Sequence, residues 1–271
     1  MTPLLLAVLS AAPITMVRLP AGAEPLSAHG DEAELAQQGL DYAVRLSLLS
    51  SARKPSLSKS LAAAYSDLAK EHGAFPTPAV ATIEGAQTAR GFDLVMIPPA
   101  AKERDDAAVI FLHGWGGNAT LECWLAARSV AADGILTACP SMNLDANWDT
   151  ADGRSIVEQT RKYLQAKGKK KLVLVGLSNG SVGAARIAVR DESAWSGVAC
   201  LEGTSALPTK VPVLVVAAKS DQMSSPTVAR VAAKDHPNVT LAELEGDHFA
   251  ALERRDELAK HLRSFVHGVL Q

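Results

Sequence analysis

The sequence predicts an α/β protein: a mainly parallel central sheet of about eight strands, helices on both faces, and a helical N-terminal extension. Three observations carry this. Short apolar runs alternate with helix-like stretches from about residue 80 to residue 271. The run 172–175 passes through Gly176-Leu177-Ser178-Asn179-Gly180 directly into a helical pattern. The run 109–112 ends on a glycine-rich turn, His113-Gly114-Trp115-Gly116-Gly117. Composition agrees, since 271 residues, 48% of them hydrophobic, are enough to bury a sizeable core. A net charge of −2 supplies no basic face, so no nucleic-acid partner is expected. The run Lys169-Lys170-Lys171 reads as a solvated turn before an apolar segment.

The chain opens on a mostly apolar stretch, residues 4–17, interrupted by Pro13 and Thr15 and stopped by Arg18. It is too short to span a bilayer. It ends near Ala21-Gly22-Ala23, a small-x-small site of the kind signal peptidase cuts. Residues 1–23 are therefore read as a secretory signal peptide, although no Lys or Arg precedes the apolar run. That makes the expected location secreted or periplasmic, with no integral membrane span. Residues 24–79 read as the helical extension. The stretch 32–49 is rich in Ala and Leu, and Leu61, Ala64, Tyr65 and Leu68 share one helix face. Gly73 sits where that helix would end, and Pro76 and Pro78 close the segment.

Residues 80–271 form the α/β domain. The runs 80–83 and 92–97 read as two strands joined by a turn through Gly85 and Gly91. Further strands are expected at 107–112, 134–138, 172–175, 197–201, 211–217 and 239–244. Helices are expected at 120–132, 154–166, 182–190, 227–233 and 251–269. In sheets of this kind, chemistry gathers at the carboxyl ends of the strands. The three cysteines, Cys123, Cys139 and Cys200, cannot all pair within the chain, and the sequence selects no pair.

Strand, G-x-S-x-G, helix is the pattern of a nucleophile elbow, and it makes Ser178 the candidate nucleophile. The flanking glycines leave room for the sharp turn. The following helix points its positive end at a developing anion. The glycine-rich turn after 109–112 can aim an amide at the same anion, so the backbone N–H groups of Trp115 and Asn179 are the candidate oxyanion hole. His113 precedes that turn and reads as structural.

His113-Gly114-Trp115-Gly116 and Gly176-Leu177-Ser178-Asn179-Gly180, in this order and spacing, resemble the α/β-hydrolase superfamily over about residues 80–271. The helical extension lies outside the resemblance. The resemblance implies an α/β-hydrolase fold and an acid and a base after the nucleophile, in that order. Lys219-Ser220-Asp221 follows one strand, and Glu245-Gly246-Asp247-His248 follows the last. The implied triad is Ser178, Asp221 and His248. Glu202, after strand 197–201, is the alternative acid, and Asp247 reads as a turn or capping group.

The gap from Glu202 to Val211 leaves no room for a lid domain, so the site is expected to be open to a small-molecule ester. The helical extension is expected to cover a sheet face or edge, with folding over the site as the alternative. The loop 141–153 is expected to border the pocket, with Trp148 and Met223 as candidate substrate-binding residues alongside Trp115. Asp145-Ala146-Asn147-Trp148-Asp149 starts like a calcium loop, but Thr150 stands where glycine is required and Ile156 where glutamate is. No metal or cofactor is expected. The chain is similar to dienelactone-hydrolase and polyhydroxyalkanoate-depolymerase-like esterases. The former usually carry a cysteine nucleophile, where this chain has Ser178. The implied activity is serine-dependent hydrolysis of a carboxylic ester. The same triad on another acyl bond (peptidase, thioesterase, acyltransferase) and a non-catalytic binding role are the alternatives.

Overall fold

The computed structural model describes residues 12–20, 31–116 and 120–271. In chain order the strands are β1 (Thr15–Leu19), β2 (Phe92–Ile97), β3 (Ala107–Leu112), β4 (Leu136–Pro140), β5 (Lys171–Leu177), β6 (Gly197–Leu201), β7 (Val213–Ala218) and β8 (Val239–Leu244). The helices are α1 (Glu32–Arg45), α2 (Lys54–His72), α3 (Ala79–Ile83), α4 (Thr120–Val130), α5 (Ala151–Ala166), α6 (Asn179–Arg190), α7 (Pro226–Asp235), α8 (Ala250–Glu253) and α9 (Arg255–Val269). The strands form one sheet in the order β1-β2-β4-β3-β5-β6-β7-β8. β2 runs antiparallel to both β1 and β4, and every other pair is parallel.

Burial on both faces explains the unbroken apolar runs of the central strands. Alternate residues go to opposite sides. Val109, Phe111, Val173 and Val175 pack under α1, α2, α4 and α9. Ala108, Ile110, Leu112, Leu172 and Leu174 pack under α5, α6 and α7. The helical extension thus covers a sheet face. α1 begins at Asp31, whose side chain accepts the N–H groups of Ala33 and Glu34 at 2.9 and 3.2 Å.

Two features differ from the sequence reading. Residues 80–83 belong to the short helix α3, which starts just after Pro78. A four-residue apolar run has no period of its own, and the proline beside it favours a helical first turn. The eighth strand is instead β1, which lies inside the stretch read as the signal peptide. β1 pairs from Thr15 opposite Met96 to Leu19 opposite Phe92. Arg18 reaches across to the buried Asp93 at 3.1 Å, and Gln87 donates to the other carboxylate oxygen at 2.9 Å. The other residues of the expected signal peptide, 1–11 and 21–23, lie outside the described residues.

A disulfide joins Cys123 on α4 to Cys139 on β4. Cys200 is free and buried, and burial pushes its thiol up to about 12. Among the described residues, no helix is long and apolar enough to cross a membrane.

The extension is fastened to the sheet domain through Glu32. Its carboxyl accepts the N–H groups of Thr120 and Leu121, at the start of α4, at 2.8 and 3.0 Å. It also accepts the Tyr65 hydroxyl of α2 at 3.0 Å. Glu32→Ala leaves three buried donors without their acceptor, and the expected loss is about 2–4 kcal/mol. It is read as a lower urea midpoint at unchanged slope; Glu32→Gln, which keeps an acceptor oxygen, loses less. A chain starting at residue 24 lacks β1 and leaves Asp93 without Arg18. Its expected loss is on the order of 3–5 kcal/mol relative to a chain starting at residue 12, measured the same way.

Candidate active site

β5 turns into α6 at Ser178, whose φ is 53° and ψ −118°. A non-glycine residue adopts this backbone only where its surroundings enforce it. The enforcement is close packing. A Cβ on Gly176 would lie 2.2 Å from the Gly180 carbonyl oxygen, and one on Gly180 would lie 2.1 Å from that of Leu112. Only glycine allows β3, β5 and α6 to approach this closely. The turn therefore holds the Ser178 side chain out at the carboxyl end of the sheet.

His248 follows β8, and Asp221 follows β7. The His248 Nε2 lies 2.8 Å from the Ser178 Oγ, and its Nδ1 lies 2.7 Å from the Asp221 Oδ2. A carboxylate only accepts, so Nδ1 carries the proton and Nε2 accepts from the hydroxyl. The other Asp221 oxygen accepts the N–H groups of Met223 and Ser224 at 2.8 and 2.9 Å. The Asp221 carboxylate is thereby locked in orientation. The three side chains come from loops 27 and 70 residues apart, counted from His248.

Neighbouring groups take other roles. Glu202 is buried and accepts the Ala251 N–H at 2.6 Å, on the start of α8 rather than on His248. Burial holds its carboxyl well above the usual range. Asp247 accepts the Phe249 N–H at 3.1 Å and the Arg53 Nε at 2.7 Å. Arg53 also bonds Glu253 at 2.9 Å, and the two carboxylates raise its already high pKa. The loop carrying His248 is therefore clamped to the start of α2. The sequence reading did not single out Arg53, because nothing local marks a guanidinium that acts nearly two hundred residues away.

His113 is fully buried beneath the elbow. Its Nε2 accepts the Met142 N–H at 3.0 Å, and its Nδ1 donates to the Gly114 carbonyl at 2.9 Å. Burial lowers its pKa to about 4, so the ring is neutral and structural. Trp148 does not line the cavity at Ser178 but borders a neighbouring one with Trp115 and Asn179. It is 1% exposed, donates from Nε1 to the His113 carbonyl at 3.0 Å and packs edge-on against that ring. The small Gly183 of α6 makes room for it. Trp115 and Met223 are 45% and 53% exposed and do line the pocket. The flanking amides of Trp115 are both engaged, Gly114 with Glu122 at 3.2 Å and Gly116 with the Leu144 carbonyl at 2.9 Å. Asn179 is the first residue of α6, so its N–H has no carbonyl a turn earlier in the helix. Asp149, in the loop resembling a calcium site, pairs instead with Arg154, Arg186 and Arg190. Among the described residues, no cluster of metal-ligating side chains is present.

A cavity of about 290 Å³ opens at Ser178 and His248. Its opposite side is built by α1 and α2, so the extension covers the site as well as a sheet face. Glu122 lies along this cavity, and burial raises its pKa from 4.5 to about 7. Between those pH values the folded carboxyl keeps a proton that the unfolded chain has lost. Stability therefore falls as pH rises through that window. Glu122→Gln keeps an acceptor for Gly114 and removes the titration. The variant is expected to lose less stability than the parent between pH 5 and pH 8, by on the order of 1–3 kcal/mol. Denaturant midpoints at the two pH values measure it.

No family model matches the sequence, and no curated protein matches it significantly. Solved structures do. Est1E from Butyrivibrio proteoclasticus superposes with a TM-score of 0.56 at 11% identity, over 66% of this chain and 95% of that one. A thermophilic esterase from Thermogutta terrifontis gives 0.55 at 13% identity, over 66% and 95%. FphF, a fluorophosphonate-binding serine hydrolase of Staphylococcus aureus, gives 0.52 at 12% identity, over 65% and 93%. With this strand order, elbow and set of structural neighbours, the chain has the α/β-hydrolase fold.

Proposed function

We propose that the protein is a serine hydrolase that cleaves a carboxylic ester through an acyl-enzyme. The observation that carries this is the continuous hydrogen-bonded line from Ser178 Oγ through His248 to Asp221, at 2.8 and 2.7 Å. A serine hydroxyl is a weak nucleophile until a base takes its proton. His248 Nε2 is placed to do so as Ser178 Oγ attacks the acyl carbon. The C–O π bond opens to a tetrahedral oxyanion, which the Trp115 and Asn179 N–H groups stabilise. His248 then protonates the departing alkoxide as the ester bond breaks. Asp221 keeps Nδ1 protonated and offsets the charge of the imidazolium. Water, deprotonated by the same Nε2, attacks the acyl-enzyme and releases the acid and Ser178.

The names of the structural neighbours, two esterases and a serine hydrolase, support an ester as the bond cleaved. The polar contacts to Glu32, Glu202 and His113 are structural and compete with no step.

We also propose that the protein works in an oxidising compartment, secreted or periplasmic. The Cys123–Cys139 disulfide supports this. Free thiols at both positions in protein taken directly from cells would count against it.

Hydrolysis of a short-chain chromogenic ester by the full chain tests the main reading. Ser178→Ala and His248→Ala are each expected to lower kcat by on the order of 10⁴ or more, and Asp221→Asn by about 10⁴. A fluorophosphonate is expected to label Ser178 in the parent. A folded parent that neither turns over an ester nor takes the label would overturn the proposal.

A further inference from the structure

The cavity in front of Ser178 has a wall that does not come from the sheet domain. Leu35 and Leu40 of α1 and Leu57 and Leu61 of α2 line it. The carboxyls that border it are already engaged. Glu32 holds the start of α4, Glu122 holds the Gly114 N–H, and Glu202 holds the start of α8. Among the described residues, no Lys or Arg lines the cavity to pair with an anionic substrate. The mouth is apolar too. Leu48, Ile83, Trp115 and Met223 all line the cavity, and all are 43–53% exposed. Large apolar side chains exposed together around one opening mark a surface that meets apolar material.

We infer, resting on the hydrolase reading above, that the substrate is a neutral ester of an unbranched medium-chain acid, whose acyl chain lies in the cavity against α1 and α2. The acyl half stays attached to Ser178 Oγ through the intermediate while the alcohol departs, so the enclosed wall suits the half that remains. At about 290 Å³ the cavity is at the small end of ligand pockets, which suits a medium-length acyl chain rather than a long one. The helical extension is thus the specificity element, in place of a lid after β6.

The test uses the full chain and p-nitrophenyl esters of straight-chain acids from two to sixteen carbons. kcat/KM is expected to rise about fourfold per methylene and to peak at a medium chain length, short of the longest ester. Gly39 of α1 lines the cavity, and a Cβ there meets nothing within 4 Å. Gly39→Phe is therefore accommodated by the helix, which any residue but proline favours over glycine, and it narrows the cavity. The ratio of kcat/KM for the ten-carbon ester to that for the four-carbon ester is expected to fall at least tenfold, with a thermal melt confirming a folded variant. A profile that is flat or falls from two carbons, or a ratio unchanged in folded Gly39→Phe, overturns the inference. So does chain-length dependence that appears only when the alcohol is lengthened on acetate esters, or a preference for esters of cationic amino acids. Fluorophosphonate labelling of Ser178 in the same samples separates the two levels. Label with a flat profile removes the acyl-chain assignment and leaves the hydrolase reading standing. No label and no turnover of any ester removes both.

Discussion

The elbow at Ser178 is the constraint on which the remaining geometry depends. β5 has to turn into α6 within one residue while α6 stays pressed on the sheet. That is possible only because Gly176, Gly180 and the β3 carbonyls come closer than a side chain would permit. The strain at Ser178 is held by the two-sided core above and below β5. Once the serine is fixed there, the site has to be assembled from the neighbouring strand ends. The parallel order β5-β6-β7-β8 delivers Asp221 and His248 to the same rim.

The loops beyond those strands are not left to themselves. Asp221 is held by two backbone donors as well as by His248. The His248 loop is tied through Asp247 and Glu253 to Arg53. The turn carrying Trp115 is tied through Gly114 to Glu122 and from beneath to His113 and Trp148. Each tie fixes a group whose displacement by about an ångström would slow the proposed reaction. The charged ones sit at the edge of the extension, so the helices α1 and α2 are part of the scaffold of the site and not an appended cover.

Carboxyl groups recur in this scaffold. Glu32, Glu122 and Glu202 are each turned toward backbone N–H groups, two of them at helix starts. Helix N-termini favour such acceptors. Burial nonetheless raises all three pKa values. The wall of the cavity is accordingly less charged near neutral pH than its composition suggests, which suits an apolar occupant.

Much of the architecture was legible in the chain because burial on both faces writes itself as continuous apolar runs. Seven of the eight strands and the elbow could be placed from those runs and their glycines. That Ser178, Asp221 and His248 would meet was legible only with the residue order that the resemblance implies, since other strand ends carry polar side chains too; the structure brings the three within hydrogen-bond distance. Local signals failed where contacts between distant segments decide. The run 80–83 is too short to declare a period, and β1 hides in an apolar stretch whose role is set by Asp93, far along the chain. Trp148 had the composition of a wall for the cavity at Ser178 but is buried because Gly183 leaves space for it. The pairing of Cys123 with Cys139 depends on how α4 packs beside β4. The sequence by itself determined the fold class and which strand ends carry reactive side chains, because periodicity and turn glycines are local. Only the tertiary structure decided that α1 and α2 wall the cavity and that Arg53 clamps the His248 loop, because long-range packing leaves no periodic trace.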